Sequence, residues 1–159
     1  LQTHVDHEEA LLAMYRIRSA NMVLDGAKTE SFLDRVLERN ERCVEAIVHR
    51  AGNVLDDRRY RDAARMLDAA LAIDPNDRIT LCHRAAAAWL LHEADEYAAF
   101  RARALAGDPG WPDCDRILAE HLCTLYRFAD AMPFFAAALQ QAPDDVPTLQ
   151  GMAKAAIYT

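Results

Sequence analysis

The sequence predicts an all-α protein built as an array of antiparallel helical hairpins. Three observations predict it. Strand signals are nearly absent: few stretches alternate, and Ala, Leu, Arg and Glu, which favour helices, dominate the 159 residues. Apolar residues recur at intervals of three and four, as in AARMLDAALAI, where Ala63, Met66, Leu67, Ala70 and Leu71 share a face. The chain also matches itself at a shift of 34 residues. Pro75, Pro109 and Pro143 form one series, and Ala70, Ala104 and Ala138 another. Leu71, Leu105 and Leu139 form a third, with Leu37 one step earlier, and Ala51, Ala85, Ala119 and Ala153 a fourth. His-Arg-Ala occurs twice in the same register, at His49–Ala51 and His83–Ala85. Several series with one period are the mark of a repeat array.

The period and its punctuation predict helices at about residues 5–24, 29–39, 42–55, 59–72, 77–91, 94–106, 112–125, 129–141 and 145–157. LDGAKTE (Leu24 to Glu30) is the flexible linker candidate. Each repeated Pro follows a helix it cannot continue, and DPND (Asp74 to Asp77) supplies an Asn or Asp to cap the next one. The repeated Ala lets two helices approach closely, while Tyr60 and Phe128 wedge between paired helices. Pro112 suits a first helical position after Trp111. Pro133 would cost about 3 kcal/mol in a helix interior, so its helix is expected to start near Asp130, leaving Pro133 in the first turn.

These residues resemble the tetratricopeptide repeat family, whose unit is a helix–turn–helix of this length. RRYRDAARMLDAALAIDPND carries the pattern as Tyr60, Ala63, Leu67, Ala70 and Pro75. YRFADAMPFFAAALQQAPDD carries it as Phe128, Ala131, Phe135, Ala138 and Pro143. The middle unit departs: Ala94 stands for the aromatic, Tyr97 for the small residue and Arg101 for the large apolar one, so its helix pairing is expected to be looser or shifted. The resemblance implies a right-handed superhelix with repeats at about 42–75, 76–109 and 110–143. A degenerate helical pair at 1–40 would precede them, and the first helix of a further or capping repeat at 144–159 would follow.

The resemblance further implies that the first helix of each unit lines a concave groove that binds a partner. By register that groove holds Val48, His49, Gly52 and Leu55, then Ile79, Cys82, His83, Ala86 and Trp89, then Arg116, Ile117, Glu120 and Cys123, with Gln150 and Lys154 beyond. Gly52 and Ala86 stand where a clamp for a peptide carboxylate would need Asn, which argues against such a clamp. An amphipathic helix or extended apolar peptide is the expected occupant. The alternative is that Trp89 and Leu55 are core residues between helices. Arg50 and Arg84 follow the two His where the family has Leu, so each must lay its stem over apolar neighbours and reach an acid or solvent.

A net charge of −7 argues against nucleic acid and anionic membrane surfaces as partners. No apolar run approaches the roughly 20 residues of a spanning helix, and LQTHVDHEEA does not read as a signal peptide. The chain begins with Leu and ends in AKAAIYT, which is expected of a piece of a longer protein, and 16 Arg against two Lys suggests a GC-rich, bacterial gene. Cys43, Cys82, Cys114 and Cys123 have no zinc spacing and are expected to be free thiols, which favours a reducing, cytoplasmic compartment.

HVDHEE (His4 to Glu9) has metal-like spacing but sits at a terminus far from His49, and HEADE (His92 to Glu96) lacks the second His of a zinc peptidase helix. No nucleophile elbow or phosphate loop occurs. The expectation is therefore a non-enzymatic scaffold for protein or peptide partners, with no metal and no cofactor. Two alternatives stay open. The chain could be an accessory segment of a larger bacterial enzyme such as a zinc peptidase. It could also self-associate as a homodimer through its last helix, which carries Met152, Ile157 and Tyr158.

Overall fold

The structure, a computed structural model, describes residues 8–20 and 26–159. The described residues form nine α-helices and no strand: α1 (Glu8–Ala20), α2 (Gly26–Arg39), α3 (Val44–Asp56), α4 (Tyr60–Ile73), α5 (Arg78–Leu90), α6 (Ala94–Leu105), α7 (Asp113–Thr124), α8 (Phe128–Gln141) and α9 (Val146–Ala156). No described helix is long and apolar enough to cross a membrane. His4 and His7 lie outside the described residues, while Glu8 and Glu9 open α1, where acids oppose the helix dipole. The expected linker is corrected in part: Gly26 to Glu30 belong to α2, and Leu24 and Asp25 lie outside the described residues.

Two compact units divide within α3, after Arg50. In the first, Leu11, Leu12 and Tyr15 of α1 pack with Phe32, Leu33 and Val36 of α2, and with Cys43 and Ala46. Polar ties surround this core: Arg16 pairs with Glu45, and Arg50 with Asp34 at 2.7 Å.

The second unit holds the repeat. Ala51, Ala85 and Ala119 are all buried, as are Ala70, Ala104 and Ala138, so residues 34 apart occupy equivalent places in successive hairpins. Leu67 and Phe135 fill equivalent core sites beside Ala63 and Ala131. Ala153 departs from its series and is exposed, because no described helix covers that face of α9. Phe135 instead packs on Gly151 of α9, where an added Cβ would lie 2.6 Å from its ring.

Capping repeats where the sequence allows. Asp77 accepts from the Thr80 backbone N–H at 2.7 Å and from its hydroxyl, and Asp145 does the same for Thr148. The corresponding place before α7 is Trp111, which cannot cap. Its ring lies instead under the Arg78 guanidinium, 3.8 Å from the centroid.

Arg58, His92 and Tyr126, again 34 apart, have left-handed φ of 64°, 62° and 62°. Each closes its helix with the same two bonds: Arg58 N–H to Leu55 O at 2.9 Å and Arg59 N–H to Val54 O at 3.1 Å, then their equivalents at Trp89 and Ala88, and at Cys123 and Leu122. This is the Schellman closure, made here without glycine.

Pro133 corrects the sequence expectation. α8 begins at Phe128, two residues before the expected start near Asp130, so Pro133 falls in the second turn. The Ala129 carbonyl loses its intrahelical donor there, but both residues are exposed and water can replace it.

Two substitutions test this packing. Arg58→Gly should raise unfolding stability by roughly 1 kcal/mol, because glycine bears no penalty for left-handed φ. Gly151→Ala should cost about 1–3 kcal/mol by overpacking on Phe135. Gly107→Ala, with nothing within 4 Å of the added atom, is the control for the second. Urea denaturation of the three variants measures all of these.

Candidate interaction surfaces

The sequence-expected groove residues divide sharply by burial. Val48 is buried within the first unit, and His49 is half-buried there, its ring 4.9 Å from that of Tyr15 and its Nε2 3.4 Å from Glu45. Burial holds the His49 imidazole below its usual pKa despite that acid. In the second unit Gly52, Leu55, Cys82, Ala86 and Ile117 are buried, so they shape the helix packing rather than meet a ligand directly. Leu55 is thus a core residue, the alternative left open by the sequence. Cys82 packs with Cys114 and Leu81, and the Cys114 thiol and burial push its own thiol far above the usual range. Ile79 and Glu120 are exposed, while His83, Trp89, Arg116 and Cys123 are half-buried. Burial, helped by Glu120, raises the Cys123 thiol too.

Three helices of this face are tied by a polar chain absent from the sequence reading. His121 Nδ1 lies 2.7 Å from Asp56 Oδ1, and His121 Nε2 lies 3.0 Å from His83 Nδ1. Asp56 ends α3, His83 sits mid-way along α5, and His121 lies in the last turn of α7. Both rings lie over Gly52 of α3, where a Cβ would make ordinary contact with them, 3.6 Å from His83 and 3.8 Å from His121. Arg116, also on α7, is held with Nη1 2.6 Å from Glu120 and Nη2 2.7 Å from Asp113. Lone histidines in a sequence carry no signal for such a chain.

A second feature arises from the atypical middle repeat. Arg101, standing where an apolar residue is usual, reaches Asp115 of α7 with Nε at 3.1 Å and Nη2 at 2.7 Å. Asp115 is only 3% exposed and also accepts from Gln141 Nε2 at 3.1 Å. The Asp115 hydrogen bonds push the Arg101 pKa up. α6 meets α7 at few places, whereas α4 on α5 and α8 on α9 pack closely. Within the middle unit itself α5 and α6 pack closely, so the looser pairing expected there from Ala94, Tyr97 and Arg101 is not seen; the gap opens between α6 and α7 instead.

The gap is a cleft of about 430 Å³ between α6 and α8, lined by Tyr97, Ala98, Arg101, Ala102, Asp115, Pro133, Phe134 and Ala137. A second space of about 360 Å³ continues past Tyr97 to Trp89, His92, Glu93 and Ala94. Trp89 therefore edges this cleft. Its ring packs edge-on against Phe134 at 5.5 Å, with the Arg127 guanidinium 4.8 Å from it. Burial, then Asp115, pushes the Tyr97 phenol up to about 12. Arg84 behaves as its position requires. It is 8% exposed, lies over the Phe100 ring at 4.5 Å and donates to Asp68 at 2.7 Å. Among the described residues no group of three or more His, Cys, Asp or Glu could hold a metal ion.

This geometry defines a helical-hairpin repeat protein. No family model matches the chain. Over 128 residues, 79% of its length, the chain is 30% identical to tetratricopeptide repeat protein 28 of Homo sapiens, of which it spans about 5%. Among solved structures it is similar to TTC0263, a thermophilic tetratricopeptide repeat protein of Thermus thermophilus, at a TM-score of 0.66 and 22% identity, covering 99% of this chain and 85% of that one. It is also similar to YrrB, a tetratricopeptide repeat protein with an unusual peptide-binding site, at 0.60 and 15%, covering 98% and 79%. Yeast Tom70 matches at 0.59 and 18%, covering 96% of this chain and 32% of that one. With the 34-residue period and its buried alanines, these likenesses support assignment of the chain to the tetratricopeptide repeat family. Proteins of this family are in general interaction scaffolds rather than enzymes.

The Arg101–Asp115 pair generates a stability prediction. Arg101→Met should cost about 3–5 kcal/mol, because it strands a buried carboxylate. Adding Asp115→Leu should recover most of that loss. A double-mutant cycle in urea reads the difference, and equal costs for the single and double variants would refute the account.

Proposed function

We propose that the chain is a non-enzymatic scaffold that seats a peptide or partner helix on the face of α5 and α7, beside the end of α3. The observation that supports this reading is the Asp56–His121–His83 chain, which ties these helices together before any partner arrives. A preformed face lowers the ordering cost of binding. In this reading Ile79, His83, Arg116, Glu120 and Cys123 meet the partner, while Leu55, Cys82, Ala86 and Ile117 set the spacing beneath. Residues 42–75, 76–109 and 110–143 are then successive repeats after a degenerate pair at 1–40, and 144–159 opens a further unit. The net charge of −7 favours protein over nucleic acid as partner.

Peptides selected by display on the wild-type protein test the reading. An Ile79→Ser, Arg116→Ala double variant should bind them at least about tenfold more weakly, a loss of about 1.4 kcal/mol. Ala137→Arg, which obstructs the α6–α8 cleft, should leave binding unchanged. The reverse pattern would move the seat to the cleft.

Self-association through α9 is the second reading. Val146, Leu149, Ile157 and Tyr158 are exposed on or just after that helix, at 58%, 45%, 76% and 69%. Such an apolar stripe favours burial against another surface. Light scattering at two concentrations should then show a mass that rises with concentration and returns to the monomer in Leu149→Glu. A strict monomer at both concentrations would remove this reading.

A further inference from the structure

We infer that the cleft between α6 and α8 is a second binding site, separate from the α5–α7 face, for an uncharged aromatic ring bearing a carbonyl, with Arg101 and Tyr97 donating to the carbonyl oxygen. The two donors are the residues that break the repeat. Arg101 stands where the pattern has a large apolar side chain, and Tyr97 where it has a small one. A space of about 430 Å³ opens at that departure, within the usual size of small-molecule sites.

Small residues make the room. Ala98 and Ala102 on α6, with Pro133 and Ala137 on α8, line the cleft. Tyr97 and Phe134 add flat apolar surface, and Trp89 holds Phe134 edge-on at 5.5 Å. Aromatic walls beside small ones suit a flat ring, which gains stacked or edge contacts there.

The polar floor supplies donors only. Arg101 Nε and Nη2 both donate to Asp115, which also accepts from Gln141. Asp115 is 3% exposed, so its oxygens are closed to a ligand. A guanidinium is planar, so pairing through Nε and Nη2 turns the N–H groups of Nη1 away from that carboxylate. Neither Nη1 nor the Tyr97 hydroxyl makes a hydrogen bond among the described residues, and neither is a buried unpaired atom. Both therefore open to solvent, on side chains that line the cleft. Burial, then Asp115, keeps the Tyr97 phenol protonated, and Arg101 acts on it too, so the hydroxyl lies near the ion pair.

Charge decides which ligand these donors take. The charges of Arg101 and Asp115 cancel, so a carboxylate entering the cleft would shed water without meeting a net positive charge. Past Tyr97 the space continues to Glu93, an exposed acid that does not cap α6 and repels a second anion. A cation would meet only donors at the floor. A neutral carbonyl accepts from Arg101 and Tyr97 without either cost. The ring and carbonyl could belong to a small aromatic amide or to an aromatic residue of a partner peptide.

Benzamide and N-acetyl-phenylalaninamide, titrated into the ¹⁵N-labelled chain, test the site and separate these sources. Ligands of this size should bind with Kd on the order of 1 mM. Saturable shifts should centre on the backbone amides of Ala98, Ala102 and Ala137, and Ala137→Arg should abolish them. Binding of benzamide alone assigns the site to small amides, of the peptide amide alone to a partner's side chain, and of both to the chemistry they share. No saturable shift from either at about 10 mM, or shifts centred on α9 instead, would overturn the inference. The matching acids, benzoate and N-acetyl-phenylalanine, should bind at least about fivefold more weakly. Equal or tighter binding of the acids would refute the choice of a neutral ligand. The Arg101→Met, Asp115→Leu double variant keeps the floor filled but removes its donors, and should bind the amides at least about fivefold more weakly. If it fails to fold, Tyr97→Phe should weaken them about threefold. Unchanged affinity in the folded variant would sink the donor assignment.

Discussion

Close approach of helices at small residues placed one period apart underlies everything else in this structure. Ala51, Ala85 and Ala119 are buried in the same setting, and Ala70, Ala104 and Ala138 repeat the arrangement on the partner helices. A methyl side chain keeps the helix backbones close enough for Leu67 and Phe135 to fill the space between them. The fixed distance around the hairpin follows from the same constraint. The turn must bring each alanine back to an equivalent place, and Arg58, His92 and Tyr126 adopt left-handed φ to do so. Packing between helices exceeds the local cost of that conformation, which is why the turn survives without glycine.

The middle hairpin shows what happens when the rule is broken. Tyr97 and Arg101 are too large or too polar for the usual seam, so α6 stands off from α7 and leaves a cleft floored by the Arg101–Asp115 pair. A buried pair of this kind adds little net stability compared with an apolar contact. It does fix geometry, because the bidentate guanidinium accepts one orientation and Gln141 completes the carboxylate. The exchange turns a packing seam into an aromatic-walled space between Tyr97, Phe134 and Trp89.

On the other surface, polar residues rather than apolar ones set the spacing of α3, α5 and α7. Asp56, His83 and His121 come from unrelated register positions, so the repeat itself does not produce their contact. Stacking of successive hairpins brings these non-equivalent side chains together across two intervals. These three side chains link α3, α5 and α7 through two short contacts.

Composition and spacing were enough to specify the helical class, the hairpin period, the small-residue packing sites and the place where the pattern weakens. Those features are local or periodic, and helix propensity, proline punctuation and equal spacing express them directly. The position of Arg84 likewise required its stem to cover an apolar surface and its head to reach an acid or solvent; the structure supplies Phe100 and Asp68. Which groove residues stay open depended instead on how the hairpins stack. Cys82 and Ala86 lie on the expected helix face but are sealed by neighbouring hairpins, and Trp89 turns towards the α6–α8 cleft because a gap there admits Phe134 beside it. Stacking also joined Asp56 to His121 and His83, and Arg101 to Asp115, since the angle between successive hairpins sets those meetings and is not written into any single repeat.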